Sequence, residues 1–159
     1  MAAALNHVSI CAPDLEASVR FYEEVFGLER IPTPNFGFPV AWLRAGALQL
    51  HLFQRSAPAP TYHHFGLTVD DFDSVYRKAA QLGAFDEQTM GRLISELPDG
   101  SVQLYLRDPA GNLLEVDFPD ASRIDRDLVK QLPKLAERFP QSKENKKATL
   151  FLDLDRSRC

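Results

Sequence analysis

Residues 6–19, NHVSICAPDLEASV, are echoed by residues 63–75, HHFGLTVDDFDSV, and this echo decides the fold. Each copy reads as a strand of alternating residues, an acidic turn and then a helical pattern. The helix starts at an acidic cap, Asp14 in one copy and Asp70 with Asp71 in the other, where a carboxylate accepts from the free N–H groups of the first turn. It ends near Gly27 or Gly83, the residue type suited to a helix C-cap. In this alignment His7 falls on His64.

Three β-type runs bounded by turn residues follow each helix. They cover 28–31, 40–45 and 47–53 in the first half, and 93–97, 101–107 and 112–118 in the second. Both halves therefore read βαβββ. The expected fold is α+β: two βαβββ modules forming a cupped mixed β-sheet, with a C-terminal helical extension. The first module takes 1–54, a proline-stiffened linker 55–61, the second module 62–119 and the extension 120–159. In the extension, Ile124, Leu128, Leu132, Leu135 and Phe139 recur at helical spacing over 122–139, and Pro133 kinks or divides the helix. A polar stretch at 141–147 and a short apolar run at 148–154 follow. This tail is expected to be a packed appendage or a partner-contact helix, with a substrate lid as the alternative.

A chain of 159 residues with 45% hydrophobic and 25% charged composition is long enough to bury a core without staples, and is neither disordered nor fibrous. A net charge of −4 offers no positive field to gather phosphate backbones, which argues against nucleic acid as a partner. No apolar run reaches the ~18 residues of a membrane span, and the first residues lack the pattern of a signal peptide, so no membrane association and a cytoplasmic location are expected. Cys11 and Cys159 are too far apart, and too few, for a disulfide framework or a cysteine zinc site. Any metal must be held by histidines and carboxylates.

Strand parity sorts core from cavity, because alternate residues face opposite ways. One parity is apolar: Val8 and Ile10; Leu48, Leu50 and Leu52; Phe65, Leu67 and Val69; Val102, Leu104 and Leu106; Leu114, Val116 and Phe118. The other is mixed and polar: His7, Ser9 and Cys11; Gln49, His51 and Phe53; His64, Gly66 and Thr68; Gln103, Tyr105 and Arg107; Glu115 and Asp117. The polar parity suits the lining of a small-molecule site. Equivalent places in the two halves carry His7 with His64, and His51 with Glu115. Three of the chain's four histidines fall on this set, whereas His63 has the wrong parity. Imidazole and carboxylate are good ligands for divalent Zn, Ni, Mn or Fe, and three or four of them leave positions open for substrate. Gln49 is a reserve ligand or a substrate hydrogen-bonder. Trp42, Phe36, Phe38, Phe53 and Tyr105 are candidates to wall an aromatic or apolar substrate, and Arg44 and Arg107 to clamp a carboxylate. Asp108, Pro109, Gly111 and Asn112 form a turn that sets the register of Glu115.

With these residues in hand, the chain resembles the vicinal oxygen chelate superfamily, the glyoxalase, bleomycin-resistance and extradiol-dioxygenase group. The resemblance is carried by LNHVS at 5–9, FYEEVFGL at 21–28, LHL at 50–52, HHF at 63–65 and DPAGNLLE at 108–115. It implies one divalent metal ion held by His7, His51, His64 and Glu115, and a substrate chelating that ion through adjacent oxygens. Glyoxalase I enzymes usually carry Glu where this chain has His51, so Glu115 is left as the only carboxylate ligand and as the candidate base. The implied function is metal-assisted proton transfer, glyoxalase I-like, on an alpha-oxo or hemithioacetal-type substrate. Alternatives are an Fe(II) or Mn(II) ring-cleaving dioxygenase using His7, His64 and Glu115, a thiol transferase acting on an epoxide antibiotic, and a metal-free drug-binding protein. A homodimer is expected, since short module edges and an apolar C-terminal helix invite pairing.

Overall fold

The computed structural model describes residues 4–151. The chain runs β1 (His7–Cys11), α1 (Leu15–Phe26), β2 (Glu29–Ile31), β3 (Val40–Ala45), β4 (Leu48–Phe53), β5 (His64–Thr68), α2 (Phe72–Gln81), β6 (Ile94–Glu96), β7 (Val102–Arg107) and β8 (Leu113–Phe118). Two four-stranded sheets result, with orders β1-β4-β3-β2 and β5-β8-β7-β6, the same plan twice. The βαβββ reading therefore holds for both halves, within two residues at every strand end.

The described chain divides into two compact units. One comprises the N-terminal part through Phe65 together with Arg107–Leu113; the other comprises Gly66–Leu106 and the part from Leu114 onward.

In the first unit, the Asp14 carboxylate accepts from Ala17 N at 2.9 Å and starts α1. Gly27, at φ 67°, ends the helix with its N–H on the Glu23 carbonyl. The left-handed turn there is open to glycine at little cost. Val19, Phe21, Tyr22 and Val25 form the buried stripe of α1, which lies on β3 and β4. There Leu43, Leu50 and Leu52 of the apolar parity are almost wholly buried. Burial of each such side chain is worth about 1.5–3 kcal/mol. The β3–β4 hairpin turns at Gly46 and pairs Ala45 with Leu48, which sets Trp42 opposite His51 and Arg44 opposite Gln49. Strand β1 then pairs with β4 in parallel, placing His7 beside Gln49 and Ser9 beside His51.

In the second unit, Asp71 caps α2 by accepting from Ser74 N at 2.9 Å. Phe72, Val75 and Ala79 form its buried face, with the Phe72 ring 5.8 Å from that of Phe118 on β8. Every residue of β8 is buried, and so is every residue of β7 before Arg107. On these two strands the polar parity is interior, which differs from the open lining expected. The difference sets the electrostatics of Glu115 and Asp117.

The extension departs from its helical pattern. Only a 3₁₀ turn at Ala121–Arg123 and a single turn of helix, α3 (Leu135–Arg138), are present between residues 120 and 139. Local side chains outcompete the helix: the Asp120 carboxylate accepts from Ser122 N, and that of Asp125 from Asp127 N, both at 2.9 Å. The Asp125 backbone N–H is itself taken by the Asp73 carboxylate at 3.2 Å. Pro133 cannot donate within a helix, and its carbonyl instead accepts from Glu96 N at 2.9 Å, extending the β6 edge. Ile124, Val129 and Leu132 are nevertheless buried, so the apolar spacing reports packing without a helix. Of the run 148–154, Phe151 is buried, and residues 152–154 lie outside the described part. No helix of the described residues is long and apolar enough to cross a membrane.

Candidate functional site

The polar face of the first sheet gathers His7, Gln49, His51 and Trp42 on neighbouring strands. Trp42 stacks on His51 with ring centroids 4.2 Å apart and 6° between planes, and His7 stacks on the other side of His51 at 4.4 Å and 16°. The imidazole of His51 is thus a filling between two rings, and is 7% exposed. Burial, and then the neighbouring His7, hold its pKa below the ordinary value, which keeps a lone pair free for a metal at neutral pH. One nitrogen, Nε2, lies 2.9 Å from Gln49 Oε1. The Nδ1 of His7 faces the side-chain oxygen of its neighbour Asn6. The indole Nε1 of Trp42 is buried and, among the described residues, has no hydrogen-bond partner.

His64 opens β5, whose neighbour in the second sheet is β8. Its Nδ1 donates to the Tyr62 carbonyl at 2.9 Å. That bond holds the ring in one orientation, as hydrogen bonds to metal-binding histidines do. His63 lies just outside the strand and is exposed.

Glu115 is 6% exposed on β8. Tyr105 on β7 is buried, and burial together with a hydrogen bond to Glu115 pushes its hydroxyl pKa up, so Tyr105 stays a donor. Asp117, two residues along the same face, is 6% exposed. Burial first, and then the charge and hydrogen bond of Glu115, push Asp117 up to about 7, while a Gln103 hydrogen bond pulls the other way. One carboxylate oxygen, Oδ1, is buried without a partner among the described residues. A Cβ placed on Gly66 would lie 2.7 Å from the other, Oδ2. Residue 66 must therefore lack a side chain for Asp117 to sit where it does. Asp117 and Gly66 had no assigned role in the sequence reading. The signal was present in the E-x-D alternation of β8 and in the one glycine on the His64 face of β5.

Arg107 does not stand as a loose clamp. Its Nη1 donates to the Gly111 carbonyl at 2.7 Å and its Nη2 to the Thr61 carbonyl at 3.1 Å, fastening the turn and the linker. The turn itself is tied inward, with Asp108 accepting from the buried hydroxyl of Tyr22 at 2.9 Å and Asn112 Nδ2 donating to the Cys11 carbonyl at 3.0 Å.

The proposed ligands are thus presented in two sets: His7 and His51 stacked together on the first sheet, and His64 and Glu115 on neighbouring strands of the second. Among the described residues, no three His, Cys, Asp or Glu side chains are placed together so as to hold one ion. The donor chemistry of each set fits a divalent metal all the same: imidazoles held by hydrogen bonds and stacking, and a carboxylate beside a tyrosine hydroxyl.

The model of the Glyoxalase/Bleomycin resistance protein/Dioxygenase superfamily matches residues 4–116, and the chain belongs to that superfamily. Among individual relatives, Bacillus subtilis (strain 168) YwbC is 32% identical over 127 residues, covering 72% of this chain and 97% of that protein. Metallothiol transferase FosB of Lysinibacillus sphaericus (strain C3-41) is 31% identical, covering 70% of this chain and 79% of its own length. The crystal structure of lactoylglutathione lyase from Agrobacterium tumefaciens superposes with a TM-score of 0.55 at 27% identity, over 77% of this chain and 98% of that one.

Proposed function

We propose that the protein is a divalent-metal-dependent enzyme of the glyoxalase I type, moving a proton next to a carbonyl of a small oxygen-chelating substrate. His7, His51, His64 and Glu115 would hold the ion, which when bound supplies a Lewis acid for the substrate's adjacent oxygens. Glu115 would also take and return the proton. Burial and the neighbouring Glu115 push Asp117 up to about 7, and the Tyr105 hydroxyl donates to Glu115. Trp42 orients His51 by flat stacking, Gln49 fixes the rotation of that imidazole through Nε2, and Trp42 and Phe53 wall the substrate.

The observation that carries this reading is the paired presentation of histidines and one carboxylate at the same strand positions in both halves. The lactoylglutathione lyase likeness supports the glyoxalase branch of it. The test is the rate of methylglyoxal–glutathione hemithioacetal isomerisation by Zn- or Ni-loaded protein, beside metal content and oligomeric state of the same samples. Metal-dependent turnover that Glu115→Gln abolishes is the expected result, with a homodimer as the expected assembly. Metal uptake without isomerisation overturns the glyoxalase branch. Oxygen consumption with catechols would then point to the dioxygenase that His7, His64 and Glu115 resemble, and thiol transfer to an epoxide to the chemistry that the FosB relative is named for. Drug binding by a sample that takes up no metal would leave the metal-free alternative.

A further inference from the structure

The loop between β2 and β3, PTPNFGFP at residues 32–39, does nothing in the metal reading, yet it is built to a purpose. Three prolines stiffen it. Asn35 forms a turn by accepting from Gly37 N at 2.8 Å, and Gly37 takes φ 76°, a left-handed conformation that suits glycine. The turn delivers two phenylalanines to the polar face of the first sheet. Phe36 lies 5.9 Å from Trp42 and 6.5 Å from Phe53, and Phe38 meets Phe53 edge-on at 5.9 Å. Phe36 is nevertheless 46% exposed. At the rim, the Arg55 guanidinium lies 3.7 Å from the centroid of the Phe38 ring, with no carboxylate paired to it among the described residues.

We propose that Phe36, Phe38, Trp42 and Phe53 form a subsite for a planar aromatic group, and that Arg55 receives a negative charge carried by that group. The ligand class is an aryl anion. Tilted and edge-on rings with one open face accept a further ring in the offset geometry that aromatic pairs prefer. A guanidinium already stacked on one ring is held in place to meet a carboxylate or sulfonate at the ligand's edge. Trp42 joins the two regions, since its ring touches Phe36 on one side and lies flat on His51 on the other. The inference rests on the reading above only in placing the reacting end of a substrate at His51; the subsite itself is made wholly by the first unit.

The probe is 2-naphthoate, with 2-naphthylmethylammonium, 2-naphthalenemethanol and butyrate as controls. Binding to metal-free protein is read by calorimetry and by the amide and indole resonances, where the sole tryptophan gives a single indole N–H signal. The expected result is that naphthoate shifts the Trp42 indole signal and binds more tightly than the cationic analogue, and that butyrate shifts nothing. Phe36→Ala should weaken naphthoate and naphthalenemethanol alike by about tenfold. Arg55→Gln should weaken only naphthoate, by about fivefold. Both positions are exposed, and the dispersion of the same spectra checks that the variants fold. Equal binding of anion and cation, indifference to Phe36→Ala, or no naphthoate binding at all overturns the proposal. Zinc content measured in parallel separates the two readings: zinc taken up without aryl preference removes the subsite alone, and naphthoate bound by a protein that takes up no zinc removes the metal reading alone.

Discussion

Gly66→Ala tests whether the buried carboxyl of Asp117 is the reason for a glycine on β5. The backbone at Gly66 has no positive φ, so alanine is strained there by contact alone. Its methyl carbon would fall 2.7 Å from Asp117 Oδ2, inside the ~3.3 Å at which carbon and oxygen normally approach. Asp117 has little room to give way, being 6% exposed and pressed beside Glu115. Overpacking of this kind costs about 1–3 kcal/mol, against about 0.4–1 kcal/mol gained from the narrower unfolded ensemble of alanine. The net expectation is a loss of about 1–2 kcal/mol. In an Asp117→Ala background the contact is gone, so the same glycine change should be neutral or mildly stabilising, giving a coupling of about 1–3 kcal/mol. Urea unfolding followed by far-UV circular dichroism and by the emission of Trp42 measures the cycle, coincident curves licensing the two-state treatment. An equal cost in both backgrounds, or no cost in the native one, would refute the account.

Three further expectations follow from the same side chains. Tyr22→Phe removes the donor to Asp108 in a buried pair and should cost about 1–2 kcal/mol in the same unfolding assay; no loss would mean that the bond does not hold the turn. In metal-free protein, Asp117 keeps its proton up to about pH 7 when folded, against an ordinary 3.8. Folding therefore binds a proton between those values, and stability falls as pH rises through that window; Asp117→Asn should flatten the slope, and an unchanged slope would assign it elsewhere. The Trp42 emission of metal-free protein should drop on acidification as its stacked partner His51 gains charge, with a midpoint below the ordinary 6.5. His51→Gln should abolish that drop, and its persistence would place the quencher elsewhere.

The repeated βαβββ plan was legible because its signals are local: acidic caps at Asp14 and Asp71, glycine stops and period-2 strands. The stacking of Trp42 on His51 was within reach of the same reading, since a two-residue turn at Gly46 fixes which residues of β3 and β4 face each other. The interior placement of Gln103, Tyr105, Glu115 and Asp117 was not, because parity says which side a residue faces but not whether that side is covered. The helical spacing over 122–139 misled for a related reason. Apolar residues can meet a core from an irregular chain, and Asp120, Asp125 and Pro133 each offered the backbone an alternative partner. Phe36 and Phe38 were legible as candidates to wall a substrate but not in their placement, since an Asx turn at Asn35 decides where both rings land. As for the candidate ligand histidines, sequence named the residues, while the hydrogen bond of His64 to the Tyr62 carbonyl supplied what sequence lacked, the orientation of the ring.

The turn between β7 and β8 clusters with the N-terminal unit, and Asp108 there meets a tyrosine 86 positions earlier in the chain. Duplicated halves invite the idea of a cut at the linker yielding two independent pieces. Such a cut would deprive the N-terminal piece of the acceptor for its most deeply buried hydroxyl. A graft of the N-terminal repeat alone would therefore have to carry the 107–113 turn with it.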